Sequence, residues 1–199
     1  MPRALPLLER AVGLCQDADL PIWFPWTATL LVAVYTLVGR VADAVPLLTQ
    51  ALKQAAALER VDLQALCRLP LGEAQVLTGH LEEAQALAAQ ALDLTRAHQE
   101  RGNEAYALRL LGEIATRREP LDVAQAETHY SQALALAEEL GMRPLQAHCH
   151  RGLGMLYAAT GQREQARTAL STAIALYRAM EMTFWLPQTE AALAQVEGA

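Results

Sequence analysis

Aromatic and β-branched side chains are scarce in this chain; aromatics supply 5% of its 199 residues. Few side chains of the kind that pack best on a pleated surface argue against a sandwich or barrel. A concentrated charge of one sign is also missing. The formal net charge is −6, spread over single and paired acids. With no basic run to neutralise a row of phosphates, nucleic acid is not expected as the partner. The three cysteines, Cys15, Cys67 and Cys149, are far apart and form no C-x-x-C pair. Each lies in an apolar helical stretch, which predicts reduced, buried thiols in a cytoplasmic protein.

Long hydrophobic runs are nearly absent. Leu20 to Val38 carries no charge, but Pro21 and Pro25 interrupt its first part. A helix from Pro25 to Val38 would cover roughly 21 Å, short of the roughly 30 Å hydrocarbon core, so no membrane span is expected. Met1-Pro2-Arg3 and the Glu-containing stretch after it do not make a secretory pattern. No Ser-His-Asp or Cys-His arrangement can be argued, so no catalytic residue is predicted, and no cofactor or metal.

What the chain does have is Ala and Leu, the bulk of a 53% hydrophobic composition. Both favour helix, and the amount is enough for a substantial core. They recur with a fixed period. Ala4-Leu-Pro-Leu-Leu-Glu-Arg-Ala11, Ala44-Val-Pro-Leu-Leu-Thr-Gln-Ala51, Ala84-Gln-Ala-Leu-Ala-Ala-Gln-Ala91, Ala126-Glu-Thr-His-Tyr-Ser-Gln-Ala133 and Ala166-Arg-Thr-Ala-Leu-Ser-Thr-Ala173 share one register. Their starts fall at 4, 44, 84, 126 and 166. A second set keeps step with them: Leu31-Val32, Leu71-Gly72, Leu111-Gly112, Leu153-Gly154 and Leu193-Ala194. The one longer interval holds a two-residue insertion at Arg117-Arg-Glu-Pro120. Trp23-Phe-Pro25 is echoed by Trp185-Leu-Pro187.

Each unit reads as two helices. Helix A is expected over 22–38, 62–78, 104–117, 145–160 and 184–197, and helix B over 3–17, 41–58, 81–99, 122–140 and 162–181. Gly39, Gly79 and Gly161 are expected as left-handed ends of helix A, with Gly102 and Gly141 doing the same for helix B. Asp122 is a candidate N-cap, and Pro6 and Pro46 fall in early turns of helix B. A hairpin cannot bury its apolar stripe alone, so neighbours must stack. Gly72, Gly112, Gly154 and the paired alanines would sit where helices approach most closely.

These residues resemble the tetratricopeptide repeat, with Leu-Gly in helix A and Ala, a large residue and Ala in helix B. The period of about 40 resembles the long-helix variety found in kinesin light chains and bacterial signalling ATPases. Tyr106-Ala-Leu-Arg-Leu-Leu-Gly-Glu113 and Ala133-Leu-Ala-Leu-Ala-Glu-Glu-Leu-Gly141 are similar to C-terminal arrays of multidomain bacterial regulators. The resemblance implies an all-α, right-handed superhelical solenoid of stacked antiparallel hairpins, about ten helices in one array over 1–199. Within it, 1–20 is an unpaired helix B, and 21–60, 61–100, 101–142 and 143–182 are full hairpins. Residues 183–199 form a capping helix. The unpaired first helix would have belonged to an upstream repeat or would drive self-association.

The family's A helices line a concave groove. Carried over, its groove positions are Trp26, Thr29, Leu69, Glu73, Tyr106, Arg109, Glu113, Thr116, His148, Arg151, Met155, Gln188 and Gln195. The partner-binding residues expected to matter most are Trp26, Glu73, Tyr106, Arg109, Glu113, His148, Arg151 and Met155. Arg109 and Arg151 hold the same place in adjacent repeats and could grip a peptide carboxylate. The competing reading pairs Arg109 with Glu113 on its own helix and leaves Arg151 solvated. His148-Cys149-His150 does not suit a metal, since neighbours two apart on a helix point in nearly opposite directions. Arg151-Gly-Leu-Gly154 is read as close packing and not a phosphate loop. Trp23, Phe24 and Trp26 are read as core packing more than as an anchor for a partner. The functional expectation is a scaffold that binds a peptide or partner helix in the groove. The alternative is a ligand- or peptide-sensing array of a multidomain bacterial signalling protein.

Overall fold

The computed structural model describes residues 4–198. The reading of Met1-Pro2-Arg3, and the first residue of the first expected helix, lie outside that range. Among the described residues there are ten helices and no strand. They are α1 (Ala4–Asp17), α2 (Trp23–Leu37), α3 (Val41–Ala57), α4 (Val61–Thr78), α5 (Leu81–Ala97), α6 (Arg101–Arg117), α7 (Val123–Glu139), α8 (Arg143–Ala159), α9 (Arg163–Ala179) and α10 (Leu186–Gly198). Even-numbered helices are the A helices of the repeat and odd-numbered ones the B helices. No helix here is long and apolar enough to cross a membrane.

The helices divide into two units, Met1–Asn103 and Glu104–Ala199. In the first, α1 to α5 pack each on the next, and α2 also touches α4. In the second, α7 to α10 do the same, and α8 also touches α10.

The turns set this regularity. A left-handed residue follows nearly every helix, at 19, 39, 59, 79 and 99 and again at 141, 161 and 181, 20 residues apart within each run. One residue further on, the backbone N–H reaches back across the helix end. His80 donates to the Gln75 carbonyl at 2.9 Å, Met142 to Ala137 at 2.8 Å and Gln162 to Tyr157 at 2.9 Å. That closure satisfies carbonyls a helix end leaves orphaned. Glycine fills it at every A-to-B turn that has one, namely Gly39, Gly79 and Gly161, and also at Gly141. Asp19, Glu59, Gln99 and Glu181 adopt the same conformation despite their Cβ atoms. Gly102 therefore does not end α5 as expected. Gln99, at φ 57°, does so, and Gly102 lies in the first turn of α6. Asp122 caps α7 as predicted, its Oδ1 accepting from the Gln125 N–H at 3.1 Å. Pro25 starts no helix; it lies inside the first turn of α2, where its missing N–H has no helical partner to lose.

The alanine register marks the tightest contacts. Ala44, Ala84, Ala126 and Ala166 have no exposed surface, nor do Ala51, Ala91, Ala133 and Ala173. The residue between them is buried at Leu48, Ala88, Tyr130 and Leu170. Each faces the small residue of its own helix A. A Cβ placed on Gly154 would lie 2.6 Å from Leu170 Cγ and 3.1 Å from its backbone nitrogen. Tyr130 is larger and needs two glycines: a Cβ on Gly112 would lie 3.0 Å from its ring, and one on Gly152 2.4 Å from Cζ. Arg151-Gly-Leu-Gly154 is thus a packing feature, as read from the register. Trp23 departs from expectation. It is 62% exposed, and Phe24 takes the core position instead. Its counterpart Trp185 packs on the preceding helix A, and α2 has no such helix before it among the described residues. Leu69, proposed for the groove, is buried in α4. The cysteines are free and buried, as predicted.

Gly154→Ala and Gly152→Ala are each expected to cost about 1–3 kcal/mol through overpacking. Gly13 lies in α1 with nothing within 4 Å of an added Cβ, so Gly13→Ala should gain about 0.5–1 kcal/mol. Urea midpoints of the three variants, measured at one concentration, separate a seam glycine from an idle one. Equal effects at all three would refute the assignment.

Candidate functional site

The second unit brings most of the predicted groove residues together. On α6, Arg109, Glu113 and Arg117 stand at i, i+4 and i+8, one above the other. The Glu113 carboxylate accepts from Arg109 Nη1 at 3.0 Å and from Arg117 Nη2 at 3.2 Å. Burial pushes that carboxyl upward, but the two guanidinium groups outweigh it and hold it below the usual range. The reading in which Arg109 pairs within its own helix is therefore the one observed.

On α8, His148, Arg151 and Met155 share a face at i, i+3 and i+7. His148 sits in an aromatic corner. Its Nδ1 is 2.7 Å from the Tyr177 hydroxyl of α9, and its ring meets Trp185 edge-on at 5.0 Å. Burial, then the positive charges of Arg109 and Arg151, push its pKa down to about 3; Glu113 opposes them only in part. The imidazole is therefore neutral at ordinary pH. Arg151 is not simply solvated. Its guanidinium lies 5.5 Å from the Trp185 ring centroid, and Nη2 donates to Gln188 Oε1 of α10 at 3.4 Å. Its Nε is buried with no hydrogen-bond partner, and no carboxylate is within ion-pair distance of it among the described residues.

Two exposed apolar groups flank these charges in the register: Tyr106 on α6, 38% exposed, and Met155 on α8, 47% exposed. Thr116 turns inward, donating to the Glu113 carbonyl at 2.6 Å. Trp26 and Glu73 belong to the first unit. Trp26 is half exposed on α2, and Glu73 is partly buried on α4. The first unit also carries a shallow groove of about 330 Å³, bordered by Glu9, Gln16, Tyr35, Asp43 and Gln50.

Sequence reading missed the two aromatics that shape the corner. Trp185 was read only as packing. Tyr177 occupies a register position that is Cys15, Ala55, Thr95 and Ala137 elsewhere, so a large polar ring among small residues was the available signal. Among the described residues no three His, Cys, Asp or Glu side chains converge as a metal site would require.

The depressed His148 links the corner to stability. Between pH 6.5 and 3 the unfolded chain holds a proton on this imidazole that the folded chain does not. Stability should thus fall as pH drops through that window, at up to about 1.4 kcal/mol per pH unit. His148→Asn, which keeps an acceptor for Tyr177, is expected to flatten the slope between pH 6.5 and 5, above the carboxylate range. Urea midpoints across that range test it, and an unchanged slope would remove His148 as the source.

Comparison with known proteins agrees with the fold. Residues 103–179 match the tetratricopeptide repeat family model. No curated protein sequence matches the chain. Among solved structures, BtubC (BKLC) from P. vanneervenii is similar, with a TM-score of 0.73 at 20% identity, over 98% of this chain and 82% of that one. The chain thus folds as a stack of tetratricopeptide-type hairpins.

Proposed function

We propose that this tetratricopeptide-repeat chain is an interaction scaffold that binds an extended peptide or a partner helix along its A helices. Such repeats generally mediate protein–protein contacts and are typically non-catalytic. In this reading Arg109 and Arg151 hold a carboxylate of the partner, Tyr106 and Met155 take its apolar side chains, and His148 is a neutral wall. Trp26 and Glu73 offer further contacts in the first unit. Three free, buried thiols suit a reducing compartment, and the cytoplasm is the location this reading assigns.

The observation that carries the proposal is the state of Arg151. A buried guanidinium nitrogen without a partner is costly, and native structures normally satisfy such groups. An incoming carboxylate would supply the missing acceptor. Arg109 is engaged by Glu113, so Arg151 is the stronger of the two anchors. The surroundings are positive although the chain as a whole is acidic, which favours an anionic end of a peptide over a cationic one.

Selection from a peptide library displayed with free C-termini tests this, followed by fluorescence anisotropy on the selected peptide. Arg151→Ala should weaken binding about 10- to 100-fold, the loss typical of a charge-assisted hydrogen bond. Arg109→Ala should weaken it less. Amidating the peptide C-terminus should cost the wild type as much as Arg151→Ala does and cost that variant nothing more. Additive losses would show that Arg151 and the carboxylate do not meet.

A further inference from the structure

Two helices have no hairpin partner among the described residues: α1 is a helix B with no helix A before it, and α10 is a helix A with no helix B after it. Each leaves open the face that every complete hairpin closes. On helix B that face carries the alanine register. Its first alanine is fully buried at 44, 84, 126 and 166, yet Ala4 is exposed, and Leu8 and Ala11 are only partly covered. On helix A the face carries two small positions. Pro25, Ala65, Ala105 and Ala147 are buried, and their counterpart Pro187 is exposed. Val32, Gly72, Gly112 and Gly154 are buried, and their counterpart Ala194 is exposed.

The two open faces are complementary halves of one seam. In α8 and α9, Ala147 packs with Ala173 and Tyr177, and Leu170 lies on Gly154. In α2 and α3 the same seam accepts a larger pair, Val32 with Leu48. Ala194 is intermediate between Gly154 and Val32, so a leucine such as Leu8 can sit over it. We propose that α10 of one copy receives α1 of a second copy, completing a hairpin across the two chains.

A second group of residues follows from the same docking. Leu7, Leu14, Trp23, Trp26 and Leu30 are 46–67% exposed. Together they open on the order of 600 Å² of apolar surface, at the upper end for a monomer and approaching the ~800 Å² per partner of a standard interface. Their counterparts show what covers such a face. Leu47 packs against the cluster holding Val12 and Cys15 of the preceding helix B, and Trp185 packs on His148 of the preceding helix A. A second copy seated through α10 would bring α9 towards Leu7, and Gln188, the counterpart of His148, towards Trp23. Two α1 faces meeting each other would instead set Leu8 against Leu8, large on large. The contact is head-to-tail, so each copy keeps one free face of either kind and association can continue.

Light scattering after size exclusion, from micromolar to millimolar chain, reads this directly. The mass is expected to rise with concentration to at least twice that of one chain. Ala194→Arg and Leu7→Arg alter exposed residues, so both should fold normally by circular dichroism, and each alone should stay monomeric. Mixed one to one, they should recover a species of twice the monomer mass and none larger, because one supplies a sound α1 and the other a sound α10. The Trp23 emission should shift to the blue on mixing. A wild-type mass independent of concentration overturns the proposal. So does association that survives Ala194→Arg, or a mixture that stays monomeric.

Discussion

Close approach of helices at small residues is the constraint on which this molecule depends. Alanine and glycine bury little surface each, so their value lies in the distance they permit. Where Leu170 rests on Gly154, a single added carbon would fall within 2.6 Å of it. At that separation the larger leucines and tyrosines on either side interlock, and most of the burial comes from them. The seam also makes neighbours interdependent. Tyr130 is tolerated in the large position of α7 only because Gly152 on the following helix adds room beyond that given by Gly112 on the preceding one. A change of volume at one repeat is thus answered by the next, as expected of a structure in which each unit contacts only its neighbours.

The same neighbour rule builds the charged corner. His148 and Arg151 lie on one face of α8, but what they do is decided by α9 and α10. Tyr177 supplies the hydroxyl at the imidazole, Trp185 covers both side chains, and Gln188 takes one arm of the guanidinium. Burial acts oppositely on the two kinds of ionisable group here. Glu113 keeps its charge because two guanidinium groups bracket it. His148 loses its charge because burial and the same cations work in one direction. One buried anion, one neutral imidazole and an under-satisfied arginine are the outcome.

The fold was legible because the repeat states the same structural instruction five times. Helix bounds followed from the alanine and Leu-Gly registers to within a few residues, and Asp122 announced itself as a cap. Legibility failed where one residue type can do another's work. Gln99 takes a left-handed turn that glycine would take more cheaply, at a cost of roughly 1–2 kcal/mol, so Gly102 drew the prediction three residues too far. Trp23 and Trp185 are equivalent in sequence and opposite in exposure, because sequence register says which face a residue occupies and not whether a neighbour is there to cover it. Leu69 failed for a related reason. Its register holds Arg109 and Arg151 in other repeats, but a leucine there has no cause to stay in water and joins the core.

Departures from the register therefore carry the functional information, and they fall into two kinds. Some are chemical, such as Tyr177 among small residues or arginine in the register of Leu69, and these gather around α8. Others are changes in burial at constant chemistry, such as Ala4 and Pro187, and these mark α1 and α10. The two kinds meet on one helix. Gln188 of α10 bonds Arg151, while Pro187 and Ala194 of the same helix belong to the open seam. A short helix cannot shift at its seam without moving Gln188, and Arg151 has little else to hold it. The carboxylate-binding arginine and the free end of the stack are for that reason mechanically joined through α10, with no need for a longer path through the repeats.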